Sequence, residues 1–186
     1  MGVIVMLEIV VPASEGWDEQ KEQFVPIQKE QTLVLEHSLV SISKWESKWQ
    51  KPYFSKELKT IEETLDYIKC MTITQNVNPE VYQRLSTDNI AKINEYMDSP
   101  MTATWINDNA SRSNNKTTMT SELMYYNMIA YNIPFECQKW HINRLITLMR
   151  ICDIKNRKPE KTNSSDILKR NAALNARNRK KYNSNG

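Results

Sequence analysis

At 186 residues the chain is long enough for one domain with a real core, and 25 Lys and Arg against 22 Asp and Glu give it a formal net charge of +3. That mild sum conceals an asymmetry, since residues 155–181 hold ten basic and two acidic side chains, a net of +8 that leaves the other 159 residues at −5. With only three glycines, and neither G-x-G-x-x-G nor G-x-x-x-x-G-K-[ST], the composition excludes the Gly-rich loops that cradle nucleotide phosphates.

The opening MGVIVMLEIVVP is apolar, but it lacks a basic n-region, carries Glu8 within the run and stops at Pro12. It fits neither a signal peptide nor a membrane span, and Met6 stands where a myristoylation signal needs Ser or Thr. Its β-branched residues predict a strand. ASEGWDEQKEQ, acidic and polar, reads as a loop or short helix, and a second strand is expected from Thr32 to Ser43, where a parity shift between Leu39 and Val40 suggests a bulge or break. In KWESKWQKPYF, Trp45 and Trp49 share one face if the segment is a helical turn, and Pro52 closes it.

Helix signals then dominate. Thr60-Ile61-Glu62-Glu63 is a capping-box pattern with Ile61, Leu65, Ile68 and Thr72 at helical spacing behind it. Asn78-Pro79 predicts a short helix facing inward through Val81, Tyr82 and Leu85. Another opens near Ser86 or Thr87, carries Ile90, Ile93, Tyr96 and Met97, and ends at DSP. MTATWI and KTTMT read as hairpin strands joined by the aperiodic loop NDNASRSNN. SELMYYNMIAYNI predicts a helix whose apolar side holds Leu123, Tyr126, Met128 or Ile129, and Ile133. From Pro134 the strongest helix is expected, its apolar side running through Cys137, Trp140 or His141, Leu145, Leu148, Met149 and Cys152, as the spine of the core. The segment 156–165 is a polar linker, and Ser164 or Ser165 can cap a final basic helix from Asp166 to about Lys181. A helix of that length is marginal alone, so the tail is expected to be helical when docked.

The expected fold class is therefore α+β: a mainly helical body, residues 1–155, with a small N-terminal and hairpin sheet, and a basic linker and helical tail, 156–186. Candidate chemistry is sparse. Cys137 and His141 could share a zinc site if Cys70 and Cys152 came alongside, but paired C-x₂₋₄-C knuckles are absent, so no metal or cofactor is expected. No nucleophile motif surrounds any cysteine, and adjacent carboxylates such as Glu62-Glu63 and Asp18-Glu19 diverge, so no catalytic residue is named. Three widely spaced cysteines suit a reducing compartment, in which the sequons at Asn109, Asn115 and Asn163 are a by-product of Asn-rich composition. Trp45, Trp49, Trp105 and Trp140, with Lys44, Lys48 and Lys51 interleaved, could stack on bases, but the body is acidic and aromatics at helical spacing more often form core or protein interface. The tail alone could neutralise phosphates without reading sequence.

Two stretches carry a resemblance. NIPFECQKWHINRLITLMRICDIKN, with RNAALNARNRKKYNSNG beyond a short linker, and EHSLVSISKWESKWQKPYFSKELKTIEETLDYIKCMTITQNV are similar to the tail assembly chaperones encoded among the virion-assembly genes of tailed bacteriophages. The resemblance covers most of residues 36–186, while residues 1–30 and 107–118 lie outside it or match it poorly. It implies a non-enzymatic, cytoplasmic factor of the infected host that keeps the helical tape-measure protein soluble and helps recruit tail-tube subunits. It brings no catalytic or metal residues. Runners-up are a structural head–tail or tail component retained in the virion and a basic-tailed nucleic-acid-binding module, with self-association into a homo-oligomer a further partner option and no membrane. Nine methionines and five tryptophans suit an adaptable apolar client surface. The residues expected to meet partners are Trp45, Trp49, Lys169, Arg170, Arg177, Arg179, Lys180 and Lys181.

Overall fold

The computed structural model describes residues 6–106, 118–156 and 164–183, and within them the fold is α+β and mainly helical. The chain divides into two compact units, residues 1–152 and 153–186.

The first unit begins with four strands, β1 (Leu7–Val11), β2 (Ser14–Asp18), β3 (Gln23–Gln28) and β4 (Gln31–Leu35). They form two antiparallel pairs, β1 with β4 and, nested between them, β2 with β3. Ile9 lies opposite Leu33 and Leu7 opposite Leu35; alternation turns Ile9, Val11, Leu33 and Leu35 into the core and leaves Glu8 and Val10 outside. ASEGWDEQKEQ, where a loop or short helix was expected, forms β2 and the turn into β3. That stretch shows no apolar alternation, and its pairing is marked instead by one cross-strand contact, Trp17 edge-on to Phe24 at 5.2 Å.

Six α-helices follow: α1 (Leu39–Trp49), α2 (Ile61–Met71), α3 (Thr87–Asp98), α4 (Ser121–Ala130), α5 (Ile142–Asn156) and α6 (Ser164–Tyr182), with 3₁₀ turns at Pro79–Arg84 and Phe135–Lys139. Side chains set most of the starts. Ser38 and Thr60 form capping boxes with Ser41 and Glu63, Asn78 caps the first 3₁₀ turn, and Ser86 and Thr120 cap α3 and α4. Ser38 also corrects the expected strand from Thr32 to Ser43. The strand ends at Leu35, and the parity shift at Leu39 marks the first turn of α1, whose Leu39, Ile42 and Trp45 face the core at helical spacing.

Three further expectations change. Residues 101–106 and 118–120 are not strands, and residues 107–117 lie outside the described residues. On α4 the buried residues are Met124 and Met128, whereas Leu123, Tyr126 and Ile129 are exposed; a helix apolar on every side gives periodicity no face to choose. The helix expected to run unbroken from Pro134 stops at Trp140, whose backbone is extended (ψ 156°), because His141 pairs with Ser38 across the fold. Its second half, α5, buries Ile142, Leu145 and Met149.

Helix α1 packs against α2, α4 and the Phe135–Lys139 turn, so most of the core meets on it. The residues after α2 complete the sheet: Ile73 N–H donates to the Val34 carbonyl (2.9 Å) and Glu36 N–H to the Met71 carbonyl (2.8 Å). On the β1 side, the Asn89 amide donates to the Val10 carbonyl and the Arg84 guanidinium to the Pro12 carbonyl. Glu46 is a buried brace, accepting from Tyr53 N–H and from Ser121 N–H at the start of α4, both at 2.7 Å. Leu145→Ala is expected to cost about 2–5 kcal/mol in urea unfolding; a loss below about 0.5 kcal/mol would place that side chain outside the core. Glu46→Gln keeps the shape but leaves one oxygen for two N–H groups, so a loss of about 1–3 kcal/mol is expected, and an unchanged midpoint would refute the brace.

Candidate functional site

Of the eight residues expected to meet partners, Trp45 and Trp49 are built into the α1–α2 contact. Trp45 is 2% exposed, donates from Nε1 to the Glu63 carbonyl (2.9 Å) and stacks on Trp49 at 6.3 Å. Trp49 is half-buried and donates to Asp66 Oδ2 (2.9 Å). The i, i+4 spacing reports a shared face, and that face is core. No indole surface remains on Trp45 for a client.

The largest polar cluster inside the fold was not anticipated. His37 and His141 are both buried with rings 5.0 Å apart, edge to face. The turn from β4 into α1 brings His37, and the break before α5 brings His141; Ile142 N–H donates to the His37 carbonyl (2.8 Å), tying the turns together. Asn143 N–H donates to His141 Nδ1 (3.3 Å), so the ring caps α5, and Nε2 must then carry the proton it gives to the Tyr96 carbonyl (3.0 Å). His37 Nδ1 shares a 2.5 Å hydrogen bond with the Tyr67 hydroxyl. Burial lowers the His37 pKa to about 3, with His141 adding to the effect. Burial also lowers that of His141, against its hydrogen bond to Tyr96. Burial raises the Tyr67 and Tyr53 hydroxyls. The arrangement keeps both imidazoles neutral and internal, and neither ring lines a cavity described below.

Two hollows open on the first unit. One, about 230 Å³, lies between α2 and α3 with Lys59 at its wall; the other, about 380 Å³, is lined by Glu36, Lys44, Cys70 and Lys139 among others. Cys137 is not on one helix with His141, because the chain breaks between them, and no cluster of three or more metal-ligating side chains occurs among the described residues.

The second unit is dominated by α6, in which every residue whose side chain is described is exposed. Six of its nineteen residues are cations. At 100° per residue, Lys169, Arg170, Arg177, Lys180 and Lys181 fall within an arc of about 120°, spread over about 18 Å of axis, with Arg179 alone on the other side. Asn171, Asn175, Asn178 and Leu174 occupy the flank and back. All six cations are exposed, and five of them form one surface.

The chain matches no protein-family model, no curated protein and no solved structure. No helix among the described residues is long and apolar enough to cross a membrane.

The buried imidazoles set an acid limit. Their folded pKa values lie below the unfolded value of 6.5, so the unfolded chain binds more protons between the two; the stability is full above pH 6.5 and is lost as pH falls below it. Each ring contributes a slope of up to about 1.4 kcal/mol per pH unit. Carboxylates enter lower down: Glu63 is held below its usual range by Lys51, and Asp66 by Lys48 and Trp49 despite its burial. Urea midpoints should therefore fall already between pH 6.5 and about pH 5, and His37→Gln should flatten that segment of the curve. Equal slopes in the two proteins would show that His37 titrates as it does in the unfolded chain.

Proposed function

We propose that this chain is a non-catalytic assembly factor that holds an acidic protein client through the cationic face of α6, as the resemblance to phage tail assembly chaperones implies. The observation that carries the reading is that face: five cations within one arc of a helix otherwise poor in apolar residues. Such a surface gains little from burying area and much from charge complementarity, which steers association and fixes orientation. The burial of Trp45 and the engagement of half-buried Trp49 with Asp66 support a client contact on α6 rather than α1. In this reading the factor works in the cytoplasm of the infected host, with the tape-measure protein as client and tail-tube subunits as the next partner.

Pull-down from infected cells with the full chain, and with a chain ended after Asn156, tests it. Truncation should leave the unfolding midpoint of the remainder nearly unchanged and remove the client. Charge reversal at Arg177, Arg179, Lys180 and Lys181 should do the same, and the binding lost should be the part that high salt also removes, since the screening length falls to about 3 Å at 1 M. Retention of the client after both changes would overturn the reading. Binding to random duplex DNA with a log–log salt slope of about −4.5, as about five phosphate contacts give, would replace the protein client with nucleic acid.

A further inference from the structure

Three lysines surround the N-terminal half of α2, and the distribution of their partners is inverted. Lys48 and Lys51 keep side chains 59% and 51% exposed, and each has a carboxylate: Lys48 pairs with Asp66, and Lys51 with Glu63 at 2.7 Å. Lys59 is more deeply placed. Its ammonium sits 4.2 Å from the centre of the Tyr53 ring and 5.6 Å from that of Trp45, and donates to the Tyr53 carbonyl at 2.7 Å. Among the described residues no carboxylate lies within ion-pair distance of it. Burial lowers its pKa, with Glu63 only partly opposing that from a distance. Of these three, the two exposed ammonium groups are paired and the more desolvated one has no anion, the opposite of the expected order, because the least hydrated charge gains most from a partner.

Lys59 also lines the 230 Å³ hollow between α2 and α3, as does the Tyr53 ring its ammonium faces. Ile68, Ile90, Ile93 and Met97 form its apolar lining, the Tyr53 and Tyr67 rings contribute its aromatic side, and Thr64 and Asn94 supply its other polar groups. An apolar cavity of about 150 Å³ is enough to hold benzene, so this one has room for a ring with a short chain. Within two positions of Lys59 in sequence two large apolar residues are exposed, Leu58 (97%) and Ile61 (81%), and Ile61 shares the α2 face of the lining residues Thr64 and Ile68 at i, i+3 and i+7. Apolar walls and one cation with two donor hydrogens uncommitted make a site of the kind that takes an apolar body and fixes it by one polar group.

We propose that the α2–α3 hollow binds a hydrophobic carboxylate, an aryl or branched alkyl group of about one ring's size lying against Ile68, Ile90 and Ile93, with its carboxylate on the Lys59 ammonium. The site is independent of α6 and of any client there. The shared chemistry has two sources, a free small acid or an apolar side chain followed one helical turn later by Asp or Glu in a protein segment.

The test uses the full chain and an isosteric pair, 3-phenylpropanoate and 3-phenylpropanamide, titrated while the isoleucine methyl resonances are recorded. The acid should shift Ile68, Ile90 and Ile93 and bind at least about tenfold tighter than the amide. In Lys59→Met that preference should vanish while the thermal midpoint shows the variant folded, and Lys59→Arg should restore it. Ile90→Trp, which fills the hollow, should abolish both. The acid–amide comparison needs no variant and stands if Lys59→Met fails to fold. A helical polyalanine peptide carrying Phe and, four residues later, Glu separates the sources: tighter binding than the free acid assigns the site to a protein segment, and weaker binding assigns it to a small acid. If neither acid nor peptide moves those methyls at millimolar concentration, or if acid and amide bind the unmodified chain equally, the proposal is overturned.

Discussion

The fold depends on one backbone junction, the pairing of residues 37–38 with residues 141–142. The Ile142 N–H bond to the His37 carbonyl and the bridge between Ser38 and His141 join two turns more than a hundred positions apart in sequence. Each turn launches a helix, α1 capped by Ser38 and α5 capped by the His141 ring. Around this junction, Tyr96 brings α3 and Tyr67 brings α2 through hydrogen bonds to the same two imidazoles. Four helices thus take their positions from a polar knot inside an apolar core, and that knot is satisfied only while both rings stay neutral.

What the sequence revealed was what local chemistry decides. The Thr60 capping box, the Asn78-Pro79 start and the Ser86 cap each act within a turn of chain, and each helix appears where they put it. What it concealed was settled at a distance. Nothing near Trp140 signals that the helical periodicity from Cys137 to Cys152 must break, because the cause is Ser38 on another element. The β2–β3 hairpin was hidden for a related reason: no apolar alternation marks β2, and Trp17 and Phe24 find each other only across the pair. Trp45 and Trp49 were legible as sharing a face but not as to what covers it, since a neighbour such as Glu63 of α2 is named by packing alone.

Charge divides between two uses. On α1 and α2, Lys48–Asp66 and Lys51–Glu63 fasten neighbouring elements together, and Glu46 organises the start of α4. Surface pairs of that kind add little to stability, but they consume carboxylates that would otherwise neutralise nearby cations. Among the cations outside this bracing are Lys59 in its hollow and the arc on α6, the two for which an outside partner is proposed above. The former is set in a rigid apolar frame and the latter on an exposed helix, so they suit different kinds of partner, one chosen by shape and the other by field.

The side chains that reach β1 have a consequence for how the protein behaves when crowded. Among the described residues β1 pairs only with β4, and a lone outer strand with bare carbonyls is a template on which another molecule's chain can add by backbone pairing. Asn89 and Arg84 occupy the carbonyls of Val10 and Pro12, so the rim of the sheet is spent on the molecule's own α3 and 3₁₀ turn. On the other margin residues 71–74 lie along β4 in the same protective way. At high concentration, where extended segments of neighbouring molecules compete for open sheet margins, the most contagious backbone of this fold is insulated by two side chains and a four-residue strap.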